Sequence, residues 1–420
     1  MSPVEECFVI AGGRPLRGDV TVSGSKNAAL YAVAAGLLTA DTLTLRDVPA
    51  IDDIEELAEI LRGLGSRVEI EGETVRISTP TITSTAPPAE QVMRLRASFL
   101  VMGPLLARAH EAECVPPGGD VIGSRPLDVH FVGFRMLGAA VSRRGANWRA
   151  EASRLRGARI FFDYPSVLGT VNVLFAAVLA EGHSTIVNAA PEPEVAMAAD
   201  LLNAMGAKVT GHGTPIIEVD GVASLHGADF AVIPDRLEAG TYLLAGAATG
   251  GDVRVTNAVP GHMDSLIAKL REMGLTVQAD DATGIRATAT GPLQAVQVQA
   301  VPYPGFATDL HPQMAAAMTQ AQGNSLVHER VYDNRTLYVN ELRKLGARMI
   351  TAADTVIIEG PTPLVGSAVR ALDIRAGAAV VVAGLAATGE TTVHGIGHLD
   401  RGYAGLEDRL RALGAAIERR

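Results

Sequence analysis

At 420 residues, the chain is too long for one ordinary hydrophobic core, so two domains are expected. It is 48% apolar and 20% charged, and its net charge of −10 argues against a nucleic-acid partner, which requires a basic face. The two cysteines, the lack of an apolar run of about 18 residues and the acidic start MSPVEECFVI argue against a disulfide framework, a membrane span and a signal peptide. We therefore expect a cytoplasmic protein that binds neither nucleic acid nor membrane.

In chain order, one pattern of predicted elements recurs: a helix ends in Leu-Gly or Met-Gly, and an extended stretch follows, as in ILRGLGSRVEI and LLNAMGAKV. A glycine at this point is the expected left-handed residue that ends a helix before a strand. The glycines are Gly65, Gly138, Gly206, Gly274, Gly346 and Gly414, which lie 73, 68, 68, 72 and 68 residues apart. Such nearly equal spacings predict six copies of one structural repeat.

Each repeat also contains a second kind of helix with almost no polar face. Examples are AALYAVAAGLL, TVNVLFAAVLA, TYLLAGAAT, QMAAAMTQA and GAAVVVAGLAA, and RASFLVMGPLLARA fits more loosely. A helix that is apolar all round must be buried on all sides, whereas DDIEELAEILRGLG has a charged face and suits the surface. The predicted fold class is α/β, with two inside-out, barrel-like α/β domains of three repeats each. We expect residues 26–235 in the first domain, and residues 1–25 plus 236–420 in the second. The alternative, a solenoid, usually has shorter repeats.

Polar or charged residues lie at or just before the N-termini of the predicted buried helices. They are Lys26, Asn27, Arg96, Ser166, Asp235, Arg236, Asp309, Asp373 and Arg375. Helix N-termini attract anions, so helices that point into a cleft between the domains would bind a phosphorylated substrate there. The alternative is that these residues are ordinary helix caps, which is the simpler interpretation for Asp235 or Asp373 taken alone.

Several motifs occur in the order and spacing of one enzyme family: GSKNAAL, RASFLVMGPLLAR, PGGDVIGSRPLDVH, PGFATDLHPQ, DNR, DIRAG and HLDRGY. Over essentially its whole length, the chain resembles the UDP-N-acetylglucosamine 1-carboxyvinyltransferases. The resemblance implies the enolpyruvyl transferase fold, with a catalytic loop at 116–128 and an active site in the cleft between the domains. It also implies transfer of the enolpyruvyl group of phosphoenolpyruvate to the sugar 3′-hydroxyl through a tetrahedral ketal. The resemblance further implies that phosphate is released without a metal or organic cofactor, in the first committed step of peptidoglycan synthesis.

The resemblance also assigns roles to individual residues. The catalytic candidates are Asp120, Asp309 as general base, Lys26 and Arg401. Phosphoenolpyruvate would contact Lys26, Asn27, Arg125 and Arg401. UDP-N-acetylglucosamine would contact Arg96, Arg125, Pro126, Leu127, Asp128, Val129, Tyr164, Pro165, Ser166, Val167, Asp309 and Val331. Closure of the second domain would involve Arg335, Asp373 and Arg375.

The loop differs from many family members at its centre. Where they carry a cysteine after PGG that donates a proton and reacts covalently, this chain has Asp120, which must be protonated to act as the acid. Cys114, six residues earlier, and Cys7 are predicted to be small buried apolar side chains, and His130 a structural histidine. Because a carboxylate is a poorer nucleophile than a thiolate, we expect resistance to fosfomycin.

Other acceptors and functions remain open at this point. The chain reads SVLGT where the family usually reads SVGAT, which places Leu168 beside the expected nucleotide site, and it reads PEPE in place of REPE. The alternatives are an enolpyruvyl transferase that acts on a nucleoside or on shikimate 3-phosphate, and a non-catalytic UDP-sugar-binding paralogue.

Overall fold

The computed structural model describes residues 5–120, 122–281 and 284–420 of the chain. Residues 1–4 and 282–283 of the predicted second domain, and Val121 of the predicted catalytic loop, lie outside the described residues. Within the described residues, every helix is too short or too polar to cross a membrane.

The helices are α1 (Lys26–Ala35), α2 (Asp52–Gly63), α3 (Ala89–Arg94), α4 (Met102–Ala109), α5 (Asp128–Met136), α6 (Val167–Ala177), α7 (Pro193–Ala204), α8 (Arg236–Ala248), α9 (Asp264–Glu272), α10 (His311–Met318), α11 (Tyr338–Lys344), α12 (Ile374–Ala386), α13 (Gly397–Asp400) and α14 (Leu406–Ala412).

The strands are β1 (Cys7–Ala11), β2 (Arg17–Thr21), β3 (Thr42–Arg46), β4 (Arg67–Glu71), β5 (Thr74–Ser78), β6 (Glu111–Cys114), β7 (Ala140–Arg144), β8 (Asn147–Glu151), β9 (Arg159–Phe161), β10 (His183–Val187), β11 (Lys208–Thr210), β12 (Ile216–Asp220), β13 (Asp229–Ala231), β14 (Asp252–Thr256), β15 (Leu275–Asp281), β16 (Gly284–Ala289), β17 (Gln297–Ala300), β18 (Gly323–Glu329), β19 (Arg348–Ala352), β20 (Thr355–Gly360), β21 (Ala368–Arg370), β22 (Glu390–His394) and β23 (Ala416–Arg419).

The described residues fall into two compact units. Unit A comprises residues 24–120 and 126–233, and its sheets have the strand orders β13-β3-β5-β4, β11-β12-β10-β9 and β6-β8-β7. Strand β3 alternates, with Leu43 and Leu45 buried, so one face of its sheet covers the helices. Helix α1 is buried along almost its whole length, whereas α2 buries Leu57 and Leu61 and exposes Glu55 and Glu59. The two helix types therefore lie where their polar faces predict.

Unit B comprises residues 5–23, 122–125 and 234–420 apart from the undescribed pair. Its sheets have the orders β21-β22-β1-β23, β15-β16-β14-β2 and β17-β18-β20-β19. Helices α8, α10 and α12 pack against one another, and Tyr242, Met314 and Val380 are fully buried among them. The first strand, β1, pairs with β22 and β23 from the opposite end of the sequence.

The fold class is the one expected, with one difference. Along the described parts of the chain, the strands form separate small sheets around the buried helices and no closed barrel. The six repeat glycines all have the predicted left-handed backbone, with φ between +93° and +108°. The loosely fitting segment RASFLVMGPLLARA forms a 3₁₀ helix (Arg96–Val101) that continues as α4. Pro104, in the first turn of α4, lacks the N–H that a continuous α-helix would need there.

Candidate active site

Asp309 is the centre of a charged cluster in unit B. It lies in the 3₁₀ turn Thr308–Leu310, directly before the buried helix α10. Arg335 donates from Nη2 to Oδ1 of Asp309, and Arg375 donates from Nε to Oδ2 at 3.3 Å. The two arginine side chains are only 1% and 5% exposed, whereas that of Asp309 is 27% exposed. Two buried cations therefore hold a carboxylate that remains partly open to solvent.

Local structure fixes both arginines. Arg335 also donates from Nε to the carbonyl of Thr308 at 3.2 Å, and burial, which would lower its pKa, is outweighed by Asp309 and Asp373, so the pKa is raised. Arg375 lies in the first turn of α12, and Asp373 caps this helix by accepting from the amides of Arg375 and Ala376 at 2.8 and 2.9 Å. Such a cap stabilises a helix by about 1 kcal/mol and fixes the backbone from which Arg375 extends.

Glu329, which the sequence interpretation missed, joins two predicted substrate-binding segments of unit B. Its Oε1 accepts from the amides of Val331 (2.7 Å) and Tyr332 (3.3 Å), and its Oε2 accepts from Thr308 Oγ1 (2.8 Å) and pairs with His311 Nδ1 (2.8 Å). Burial alone would raise the pKa of Glu329, but the hydrogen bonds from His311, Val331 and Thr308 outweigh it and hold the pKa below its ordinary value. One buried carboxylate thus fixes the segment before Asp309 and the turn that carries Val331.

Lys26 forms an ion pair in unit A. It is the first residue of α1, and its Nζ lies 2.7 Å from Oδ2 of Asp53, with both side chains less than 10% exposed. Ser25 caps α1 by accepting from the amide of Ala28 at 3.4 Å, and Asn27 is half-buried beside it. A buried cation at the start of a helix suits an anionic ligand, which would share Lys26 with Asp53.

The predicted UDP-sugar residues of unit A gather at the starts of α5 and α6. Tyr164 donates from its hydroxyl to Oδ1 of Asp128 at 2.7 Å, and Ser166 caps α6 by accepting from the amide of Gly169 at 3.2 Å. A Cβ on Gly169 would lie 2.6 Å from Cγ1 of Val129, so glycine permits this close approach of the two helices. Pro165, Val167 and Leu168 are half-buried in the same segment, and Pro126 and Leu127 directly precede α5.

The loop between β6 and α5 has no helix or strand among its described residues. Gly119 has φ +98°, and a Cβ on Gly118 would lie 1.7 Å from the carbonyl oxygen of Met93, so both positions require glycine. Asp120, in unit A, is half-buried. Arg96 reaches the start of this loop and donates from Nη1 to the carbonyl of Pro117 at 3.4 Å.

Residues 122–125 of the loop belong to unit B. Ser124 donates its amide to Oδ1 of Asp333 at 2.9 Å, and Asn334 donates its amide to the carbonyl of Ile122 at 3.3 Å. Arg125 follows this attachment and is half-buried.

Arg401, also in unit B, follows α13 directly and is half-buried. The preceding residue, Asp400, is held by Arg419 through hydrogen bonds of 2.6 and 3.0 Å, which fixes the backbone that carries Arg401.

The cysteines differ from each other. Cys114 is buried at the end of β6, as expected, and burial raises the pKa of its thiol to about 12. Cys7 is only half-buried, so its predicted burial was wrong: it is the first residue of β1, at the end of the strand, where its side chain is partly open. His130 is buried in α5, as expected of a structural histidine.

Solved structures identify the fold. The enolpyruvyl transferase NikO from Streptomyces tendae matches with a TM-score of 0.88 over 99% of both chains, at 26% identity. EPSP synthase from Acinetobacter baumannii shares the fold, with a TM-score of 0.77 over 99% of this chain and 100% of that one, at 20% identity. The family model of EPSP synthase (3-phosphoshikimate 1-carboxyvinyltransferase) matches residues 10–410. The protein is therefore a transferase of the enolpyruvyl transferase class.

Sequence relatives narrow this class. UDP-N-acetylglucosamine 1-carboxyvinyltransferase 2 of Carboxydothermus hydrogenoformans is 48% identical over 416 residues, which cover 99% of each chain. The enzyme of the same name from Bacillus subtilis is 44% identical over 98% of this chain and 96% of its own. The chain belongs to the UDP-N-acetylglucosamine 1-carboxyvinyltransferase family.

Proposed function

We propose that the protein transfers the enolpyruvyl group of phosphoenolpyruvate to the 3′-hydroxyl of UDP-N-acetylglucosamine and releases phosphate, the first committed step of peptidoglycan synthesis. The observation that carries this proposal is the 48% identity to a relative of that name over 99% of both chains. The exposed edge of Asp309, a carboxylate held between two buried arginines, supports it with a group suited to accept a proton.

The proposed chemistry is an addition followed by an elimination. Asp309 takes the proton of the sugar 3′-hydroxyl while that oxygen attacks carbon 2 of phosphoenolpyruvate, and Asp120 gives a proton to carbon 3. The tetrahedral ketal then loses phosphate from carbon 2 and a proton from carbon 3, which restores the double bond. Lys26, Asn27, Arg125 and Arg401 are proposed to hold the phosphate and carboxylate of phosphoenolpyruvate, because cations and helix N-termini bind both groups.

The UDP-sugar site is proposed at the starts of α5 and α6. Arg96, Arg125–Val129, Tyr164–Val167 and Val331 would contact the nucleotide and sugar. The hydrogen bond from Tyr164 to Asp128 supports this assignment, because it orients a carboxylate oxygen at the exposed start of a helix. Arg335, Asp373 and Arg375 are proposed to act in closure of the second unit.

The proposed location is the cytoplasm. Both cysteines are free thiols, which suits a reducing compartment. The proposed partners are the two small-molecule substrates.

Phosphate release with phosphoenolpyruvate and a panel of acceptors tests the function. We expect release with UDP-N-acetylglucosamine and none above background with uridine or shikimate 3-phosphate. An Asp309→Asn variant is the matched control, because it keeps the shape of the side chain and removes the base. Release with another acceptor alone would replace the proposed substrate, and binding of UDP-N-acetylglucosamine without release would identify a non-catalytic UDP-sugar-binding protein.

A further inference from the structure

A buried tyrosine in unit B joins the three central helices to the Asp309 cluster. Tyr403 is 2% exposed, and its hydroxyl lies 3.0 Å from Nη1 of Arg375, 2.9 Å from Oγ1 of Thr241 and 3.2 Å from Nε2 of Gln313. The three partners come from α12, α8 and α10 respectively. A buried polar group that meets one side chain from each central helix is the natural point at which to fix their relative positions.

Donor chemistry gives this network one direction. The guanidinium of Arg375 can only donate, so it fills one acceptor position on the Tyr403 oxygen. Nε2 of Gln313 lies 3.2 Å from both the Tyr403 oxygen and Thr241 Oγ1, and in this orientation of the amide the tyrosine proton is directed at Thr241 Oγ1. The hydroxyl of Thr241 donates a hydrogen bond to the carbonyl of Leu237 at 2.9 Å. The chain of hydrogen bonds therefore runs from Arg375 through Tyr403 and Thr241 to the backbone of α8.

Arg375 also contacts Asp309, the proposed general base. Its Nη1 is taken by Tyr403, and its Nε donates to Oδ2 of Asp309 at 3.3 Å. The guanidinium also lies 5.4 Å from the centroid of the Tyr403 ring, so the tyrosine contacts it through both its hydroxyl and its ring. Because the guanidinium is a rigid plane, fixing Nη1 also fixes the direction of Nε.

We infer that Tyr403 is a positioning residue for the transfer reaction: its hydroxyl holds Arg375 at the angle at which Arg375 holds Asp309 for the sugar hydroxyl. The inference rests on the proposed function and extends it to a residue with no predicted substrate contact. Without the hydroxyl, Nη1 of Arg375 loses a buried acceptor, and the guanidinium turns to find another. A general base displaced by a fraction of an ångström loses rate in the chemical step and leaves substrate binding almost unchanged.

The test compares Tyr403→Phe with a matched control, Tyr242→Phe. Tyr242 is also fully buried in the helical core of unit B, but its hydroxyl donates to Oε1 of Glu238 at 2.9 Å, and Glu238 pairs with Arg409 rather than with Arg375. Both variants lose one buried hydroxyl, so both should lower the Tm by several degrees. Only Tyr403→Phe should lower kcat, by about tenfold or more, with both KM values within about twofold of the wild type.

A double-mutant cycle with Arg375→Met separates positioning from general destabilisation. If Tyr403 acts through Arg375, adding Tyr403→Phe to Arg375→Met should lower kcat by less than about twofold. Equal kcat losses in the two Tyr→Phe variants, a normal kcat in Tyr403→Phe, or multiplying losses in the cycle would overturn the inference. Thr241→Val, which removes the acceptor of the tyrosine proton, should give a smaller kcat loss and serves if Tyr403→Phe does not fold. Absence of turnover in the wild type and in Tyr242→Phe would instead refute the proposed function.

Discussion

His130 is neutral in the folded unit A, and protonation of its ring would destabilise that unit. Asn172 accepts from the amide of Gly103 through Oδ1 at 2.6 Å, so its Nδ2 faces the carbonyl of Phe99 and Nδ1 of His130, each at 2.9 Å. An amide nitrogen only donates, so Nδ1 of His130 must accept, and a second ring proton would point at an N–H group. Burial of His130, aided by the charge of Arg96, lowers its pKa to about 3.

This shift sets a pH dependence of stability with a definite sign. In the unfolded chain a histidine titrates near pH 6.5. Between pH 6.5 and pH 3, His130 is therefore protonated in the unfolded state and neutral in the folded state. Above the unfolded pKa neither state binds this proton, so His130 carries no penalty, and below it the free energy of unfolding falls by about 1.4 kcal/mol for each pH unit. From pH 7.5 to pH 4.5, His130 should cost unit A about 2–3 kcal/mol.

The variant that isolates this effect is His130→Gln. Its amide oxygen can accept from Asn172, and it does not titrate. At pH 7.5 we expect the variant to be less stable by about 1–2 kcal/mol, because it loses the edge contact of the imidazole with Phe99, whose ring centroids lie 5.1 Å apart. As the pH falls to 4.5, the two stability curves should converge and then cross.

Urea unfolding followed by tryptophan fluorescence reports the stability of unit A and so measures the difference between His130→Gln and the wild type. Trp148 is the only tryptophan of the sequence, and in unit A it packs on Phe131 with ring centroids 4.3 Å apart. The control is His226→Gln, which removes an exposed imidazole of the same unit and leaves the Asn172 contact of His130 in place. Parallel curves for His130→Gln and the wild type between pH 7.5 and 4.5 would refute the argument.

Three further predictions concern the loop and the Glu329 cluster. Asp120→Asn should lower turnover by about 100-fold or more and leave calorimetric binding of UDP-N-acetylglucosamine within about twofold, because an amide cannot supply the proton; near-normal turnover would remove Asp120 from the chemistry. Fosfomycin should leave the enzyme active, because Asp120 is a weak nucleophile and the buried Cys114 thiol has a pKa of about 12; an adduct on either residue by intact mass would contradict this. Glu329→Ala should raise KM for UDP-N-acetylglucosamine by about fivefold or more, because the amide of Val331 and the hydroxyl of Thr308 lose their acceptor. Glu329→Gln keeps one acceptor oxygen and should recover most of the affinity. An unchanged KM in Glu329→Ala would count against this role.

The parts of the fold that follow from local sequence were predictable. Gly65 and Gly414 stand at opposite ends of the chain, yet both end a helix with a positive φ, because the requirement depends only on adjacent residues. The buried helices were predictable for the same reason, since a helix without a polar face has one stable location.

The contacts within the site were less predictable, because they join distant residues. Asp309 meets Arg335 and Arg375, which lie 26 and 66 residues further along the chain. The sequence identified each of the three residues but not their direct contact. Glu329 was overlooked because a carboxylate at the end of a strand usually faces solvent. One available signal was the alternation of side chains along β18, which places Glu329 on the same buried face as Ser325 and Val327.

The pairing of β1 with strands from the other end of the chain also matters during synthesis. Strand β1 pairs with β22, which is translated roughly 380 residues later, so at about 5–20 residues per second it waits roughly 20–80 seconds for a partner. Unit A is complete well before that, because its last residue is Ile233. The apolar segment CFVIA therefore stays without its strand partners on the nascent chain until almost the whole sequence has been translated.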